Sequence, residues 1–251
     1  MLTTHRKQQI LSILKQDGQV VAKDVSQAMG VSEDTIRRDL REMAKDGLLQ
    51  RVHGGALPAS PAVADFAGRE RLTPEGKVAI GRAAAKMIQA GQVVILDGGT
   101  TARQVARHIP LDLEATVVTH SPTIALELVN HASVEVLLIG GRLFKHSVVA
   151  VGAATTEAIA RVHADTFFMG VTGVHPQTGL TTGDYEEAAV KRALSHAAAE
   201  TIVLASSEKL NAASAYEVVP LAEISGIITE QSADATLTRP YERLGIAVIR
   251  A

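Results

Sequence analysis

The sequence contains no cysteine. That excludes disulfides, a thiolate nucleophile and thiolate metal ligation together, and it fits a reducing compartment. No stretch approaches the roughly 18 uninterrupted apolar residues that a membrane span requires. The N-terminal "MLTTHRKQQILSILKQ" is amphipathic rather than a continuous apolar block, so no membrane partner is expected and the chain is expected to be cytoplasmic. Internal repeats and low-complexity tracts are absent as well.

A strong charge of one sign is also missing, since the formal net charge is −2. Its distribution is uneven: residues 1–57 hold 9 Lys/Arg against 7 Asp/Glu and the remainder 16 against 20, a mildly basic front ahead of an acidic body. The nine histidines include no H-E-x-x-H and no paired spacing, so neither a metal nor a cofactor is expected. There is no Walker loop and no dinucleotide fingerprint. "SSEK" and "SILK" match S-x-x-K without S-D-N or K-T-G, and "HGG" stands without G-x-S-x-G.

What is present is ordinary globular composition, 46% hydrophobic and 21% charged. "LPASPAVADFAGRERLTPEG", from Leu57 to Gly76, has three prolines and no helical period, which reads as a linker. The expected organisation is a head over 1–57, a linker over 58–76 and a body over 77–251. In the head, Ile10, Ile13 and Leu14 form one helical stripe, and Val21, Val25 and Ala28 a second, ended by Gly30. Ser32 then offers an N-cap, Glu33 and Asp34 place acids in a first turn, and Ile36, Leu40 and Met43 repeat until Gly47. "LLQRVHGGALP" has the composition of a small β wing. In the body, "VVILD", "TVVTH", "VEVLLIG", "TFFMG", "TIVLA" and "SGIITE" alternate with helical stretches over 101–108, 122–130, 154–161 and 186–199. Short apolar strands between helices argue a mostly parallel sheet buried on both faces, hence α/β.

On the third head helix, Arg38, Arg41 and Lys45 fall opposite the apolar stripe and Arg37 on its flank. Guanidinium forks bridge phosphates or the O6 and N7 of guanine, and short polar groups such as Ser32 and Thr35 near the helix start reach base edges. An ordinary solvated face with an Asp34–Arg38 pair would carry the same residues. The wing adds Arg51 and His53 as a second contact, which favours double-stranded DNA as partner. "VSEDTIRRDL" followed by "R.HGGA" resembles the signature of the DeoR family of bacterial transcriptional regulators. The resemblance implies a winged helix-turn-helix in which Ser32, Thr35, Arg37 and Arg38 carry recognition, with Arg51 and His53 in the wing.

In the body, "DGGTT" puts Asp97, Gly98, Gly99, Thr100 and Thr101 between a strand end and a helix start, where free N–H groups and hydroxyls converge on an anion. A plain tight turn fits the same residues. Gly140 and Gly141 in "IGGR", Gly170, Thr172 and Gly173 in "MGVTG", Glu187 and Lys191 in "GLTTGDYEEAAVK", and Lys209 in "SSEKLN" also follow strands, as ligand groups of open α/β sheets do. Asp184 and Glu187 have capping-box spacing, and Glu187–Lys191 is an i, i+4 pair. The constellation resembles the DeoR sensor domain, itself similar in fold to ribose-5-phosphate isomerase. The likeness implies that Gly99, Thr100 and Thr101 hold a phosphate, with Glu187, Lys191 and Lys209 at the sugar end. The isomerase's D-G-A-D-E loop is replaced here by Met169, Gly170, Val171, Thr172 and Gly173. Acid-base work on a carbon acid needs a positioned base, so the body is expected to bind without catalysing.

The combined expectation is a regulator, a repressor of a carbohydrate or related catabolic operon, released from operator DNA by a phosphorylated sugar or sugar acid and acting as a homo-oligomer, dimer or tetramer. The alternative is a sugar-phosphate isomerase-like enzyme with an accessory DNA-binding head; an activator built of the same parts stays open.

Overall fold

The computed structural model of the chain describes residues 2–60 and 64–251; Met1 of the expected head and residues 61–63 of the expected linker lie outside the described residues. Helix α1 (Thr3–Asp17) is followed by strand β1 (Val20–Val21), α2 (Ala22–Met29), α3 (Glu33–Lys45) and the hairpin of β2 (Leu49–Val52) and β3 (Gly55–Pro58). Helix α3 starts at Ser32, whose Oγ accepts the Thr35 N–H at 3.2 Å, with Glu33 and Asp34 in the first turn. Ile10, Leu14, Val25, Ile36, Leu40 and Met43 close one core with Val20, Ala22, Leu49 and Ala56. The second stripe is shifted from the expected one. Val21 is 42% exposed and Ala28 is exposed, because Val20–Val21 pairs with β3 as a strand and turns Val20 inward, and α2 begins only at Ala22. Asp39, buried on α3, ties down Arg6 of α1 through a two-pronged ion pair.

Both glycines of "HGG" answer to the wing backbone. Gly54 turns the hairpin at φ 77°, which only glycine adopts freely. A Cβ on Gly55 would stand 1.8 Å from the Val20 carbonyl oxygen, where β1 crosses β3.

After the wing the chain runs along the body. Ala59 bridges Ala213, the Ala213 N–H donates to Pro58 O at 3.1 Å, and Ser60 Oγ donates to Thr172 O. The stretch expected to lack helix contains α4 (Phe66–Glu70), N-capped by Asp65, and the start of α5 (Pro74–Ala85). Five residues including Gly68 are too few to show a helical period. The remaining elements are β4 (Val93–Leu96), α6 (Thr100–His108), β5 (Ala115–Thr119), α7 (Pro122–Leu128), β6 (Val134–Leu138), β7 (Arg142–Phe144), β8 (Val149–Val151), α8 (Ala153–Ile159), β9 (Ala164–Gly170), β10 (Gly173–His175), β11 (Gly179–Thr182), α9 (Tyr185–His196), β12 (Ala198–Leu204), β13 (Tyr216–Glu217), β14 (Gly226–Thr229), α10 (Ala235–Arg243) and β15 (Val248–Arg250).

Seven strands make one sheet in the order β15-β14-β12-β9-β4-β5-β6, parallel throughout. Alternate residues of the central strands enter different cores, as a period of two requires. Ile95, Val118, Phe167 and Met169 pack with α8, α9 and α10, whereas Val94, Leu96, Val117 and Phe168 pack with α5, α6 and α7. This is the doubly covered α/β sheet expected from the apolar runs. From β4 the chain moves outward to β6 and returns to β9 on the other side of β4, so the order reverses between β4 and β9. Connections leaving neighbouring carboxyl ends in opposite directions open a crevice there. Two small antiparallel sheets, β10-β11-β13 and β7-β8, stand apart from it.

Candidate functional site

A narrow cleft occupies this reversal point. The β4–α6 junction contributes Gly98, Gly99, Thr100 and Thr101, the end of β9 Gly170 and the adjoining Thr172, α9 Glu187 and Lys191, and the 207–209 turn Lys209. Gly99 sits at φ 105° as N-cap of α6, so the first free N–H groups of a nine-residue helix face the cleft. A Cβ on Gly98 would lie 2.1 Å from Val149 Cγ1, so this glycine admits β8.

Asp97 lies beneath the cleft rather than in its lining, wholly buried. It accepts the N–H groups of Gly98 and Gly170, each at 2.8 Å, approaches His120 Nε2 at 2.9 Å, and pairs with Lys191 Nζ. The other nitrogen of His120 lies 2.9 Å from Ala150 O. Burial alone would push the Asp97 carboxyl up, but the Lys191 ammonium and His120 outweigh it and hold the group at about 2. Asp97 is therefore a fixed anion that joins the loops after β4 and β9 and positions Lys191. Lys191 also donates to Gly170 O at 3.0 Å and stands 3.6 Å from Glu187 Oε1.

Asp184 caps α9 by accepting the Glu187 N–H at 2.9 Å, one half of the expected box. The Glu187 carboxylate turns into the wall of the cleft instead, accepting from Thr182 Oγ1 at 3.0 Å and Ser147 Oγ at 3.4 Å. Lys209 is only 6% exposed, and its one side-chain hydrogen bond among the described residues reaches Thr101 Oγ1 at 3.5 Å. Burial pushes its ammonium down to about 8, against the pull of Glu208 and with help from Lys77, Arg69 and Lys191. An ammonium has three donors, and among the described residues the Lys209 ammonium places only one of them, on the Thr101 hydroxyl, so a buried cation keeps unfilled donors.

Three of the glycines expected at the site lie elsewhere. Gly140 and Gly141 are exposed; Gly140 O accepts from Thr155 Oγ1 at 2.9 Å, and a Cβ on Gly141 would lie 2.0 Å from the same oxygen. They serve the join between β6 and α8, because β6 stands two strands away from the reversal point. A Cβ on Gly173 would lie 2.5 Å from Ala212 O, so that glycine admits the 210–213 loop. The cleft also uses residues that sequence patterning missed. Arg69 and Leu72 enter from the stretch expected as linker, Lys77 from the first position of the expected body, and Glu208 from beside Lys209. His120 lies 23 residues from Asp97 and carries no local signal; the cations between Arg69 and Lys77 are the one feature that could have marked their stretch.

In the head, Ser32 Oγ and Thr35 Oγ1 stand 2.9 Å apart at the start of α3. The i, i+4 pair that forms is Glu33–Arg37 at 2.7 Å; an Asp34–Arg38 pair is not among the ion pairs of the described residues. Arg38 is exposed without an acidic partner there, Arg41 Nε reaches only Arg37 O at 3.4 Å, and Arg51 and His53 are exposed on the wing. Among the described residues no cluster of three or more His, Cys, Asp or Glu could hold a metal ion, and no helix is long and apolar enough to cross a membrane.

Two family models match: a DeoR-like helix-turn-helix domain over residues 6–61 and a DeoR C terminal sensor domain over 73–231. The HTH-type transcriptional regulator GlpR of Haloferax volcanii is 35% identical, over 99% of this chain and 98% of its own length. The glycerol-3-phosphate regulon repressor of Escherichia coli K12 is 32% identical over 77% of each chain. A solved ribose 5-phosphate isomerase A from Methanocaldococcus jannaschii superposes with a TM-score of 0.40 at 17% identity, covering 53% of this chain and 52% of that one.

Proposed function

The chain belongs to the DeoR family of transcriptional regulators and is a DNA-binding regulator, not an enzyme; from that premise we propose that it represses an operon of carbohydrate or related catabolism in the cytoplasm and is released by a phosphorylated sugar or sugar acid bound in the cleft. The observation that carries this reading is Lys209, a buried cation whose ammonium makes one 3.5 Å hydrogen bond among the described residues, set against the N-terminus of α6. A phosphate there would complete the ammonium's donors and meet the positive end of the helix at once. Glycerol 3-phosphate, named for the Escherichia coli relative, is a phosphate monoester of this chemical class.

Residues 1–57 then act as reader and 77–251 as sensor, with 58–76 between them. Ser32, Thr35, Arg37, Arg38 and Arg41 of α3 address the major groove, and Arg51 and His53 the flanking backbone. A ligand weakens DNA binding only by favouring a geometry in which the heads are misplaced. Thr172 supplies a route, since it lines the cleft and its carbonyl accepts from Ser60, two residues past the wing strand. A symmetric dimer or tetramer would place two heads on two half-sites.

The test is release of labelled operator, read by fluorescence anisotropy, during titration with a panel of sugar and sugar-acid phosphates and their unphosphorylated parents. At least one ester releases the operator and its parent does not. Release by parent and ester alike, or by none of the esters, overturns the reading.

A further inference from the structure

Arg69 lies between the two matched segments, outside both family models. It lines the cleft and an adjoining one, which shares Thr172 and Glu187 with it. Among the described residues its Nε, shielded from solvent, has no hydrogen-bond partner, and its one side-chain hydrogen bond runs from Nη2 to His146 O at 3.5 Å. A guanidinium carries five donors in a fixed fork that matches phosphate or carboxylate. Burial lowers its pKa, and the field of Glu187 and Asp97 opposes that without an ion pair forming. Its main chain is held firmly: Lys77 Nζ donates to the carbonyls of Arg69 and Leu72, and neighbouring Glu70 pairs with Arg103 of α6 at 2.6 Å. The backbone is thus anchored while most of the fork is unused. Lys209 is depressed in part by Arg69 and Lys77, so these cations face one space, where an anion would relieve their repulsion.

We propose that Arg69 is a specificity-determining effector contact, gripping the same phosphate as Lys209, so that an occupied cleft ties the segment joining head and body more tightly to the sensor. The proposal rests on the cleft being the effector site. It assigns the coupling segment a direct part in recognition: the residue that reads the anion sits on the chain that carries the head.

Inorganic phosphate serves as probe, with hydrogen–deuterium exchange and calorimetry on the full chain. Phosphate is expected to slow exchange over 99–103 and over 64–77 in the unaltered protein. Arg69→Gln weakens phosphate about tenfold, keeps the protection of 99–103 near saturation and loses that of 64–77. Arg69→Lys, which retains charge but not the fork, falls between. Melting without phosphate confirms that both variants fold. If Arg69→Gln binds phosphate with unchanged affinity, or still protects 64–77, the role of Arg69 is overturned while the cleft reading stands. If phosphate protects 99–103 in no protein, the cleft reading itself falls and takes this proposal with it.

Discussion

The exposed face of the head and the buried cleft of the body both hold cations, under opposite physical conditions. Arg38, Arg41 and Arg51 stand in water, where an unpaired charge costs little, salt screens it, and many weak contacts must act together on a polyanion. Lys191 and Lys209 are 3% and 6% exposed, where an unpaired charge is expensive and each partner counts. Lys191 has its partner in Asp97, whereas among the described residues the Lys209 ammonium makes one long bond, to the Thr101 hydroxyl. On the proposed reading, the cleft serves a single small anion and the head a long array of phosphates.

The sharpest way to break the contrast is Asp97→Ala, which strips Lys191 and His120 of their carboxylate. It is expected to cost about 3–5 kcal/mol, read as a lowered urea midpoint; an unchanged midpoint would mean that the cleft's floor is as tolerant as the surface. The pH dependence has a definite sign. Asp97 is held at about 2 in the fold, below its unfolded value of about 3.9, so its stabilisation is present above pH 4 and is lost as pH falls towards 2.

Next in size is Thr101→Glu, which builds a carboxylate into the proposed anion seat. Binding of a releasing phosphate ester should weaken at least ~100-fold, about 2.8 kcal/mol, with operator affinity kept. Thr101→Ala, removing a hydroxyl without adding charge, should weaken it only in part. Equal ester titration curves for all three proteins would reduce "DGGTT" to a turn. Arg38→Ala should cost roughly 1–3 kcal/mol of operator affinity and relax preference at one base pair, and a competition titration against single-base operator variants detects both.

A smaller effect follows from Lys209, held at about 8 against about 10.4 in the unfolded chain. Between these values the unfolded chain binds a proton that the empty fold does not, so ligand-free stability from this group rises with pH. Phosphate affinity runs the other way, falling up to about tenfold per unit above pH 8. Calorimetry in buffers of different ionisation heat should show proton uptake on binding; no uptake at pH 8 would separate Lys209 from the anion. The smallest change is expected from Arg51→Ala, which should weaken all sequences evenly and reduce the slope of log affinity against log salt by about 1.

Reading the sequence succeeded where the signal is local. Ser32 before Glu33 and Asp34, the Ile36–Leu40–Met43 spacing, and "VVILD" running into "GGTT" each describe one element whose caps and periods lie within a few residues. It failed at Val21, where a two-residue strand interrupts the helical count, and over Phe66–Glu70, where the helix is too short to have a period. Gly140 and Gly141 were drawn to the site because they follow a strand, but strand order, not strand ends, selects which loops meet.

By itself, then, the sequence determined the reader helix, the wing, the succession of strands and helices, and the helix start on which an anion can rest, because hydrogen-bond geometry and side-chain period are properties of neighbouring residues. Only the tertiary structure decided which charges share a space. Lys191 meets Asp97 across 94 positions and Lys209 meets Thr101 across 108, and Arg69 reaches the cleft from a stretch without pattern. Burial makes those meetings matter, and burial belongs to the packed sheet as a whole: a charge's cost and its partners are set by what folds over it.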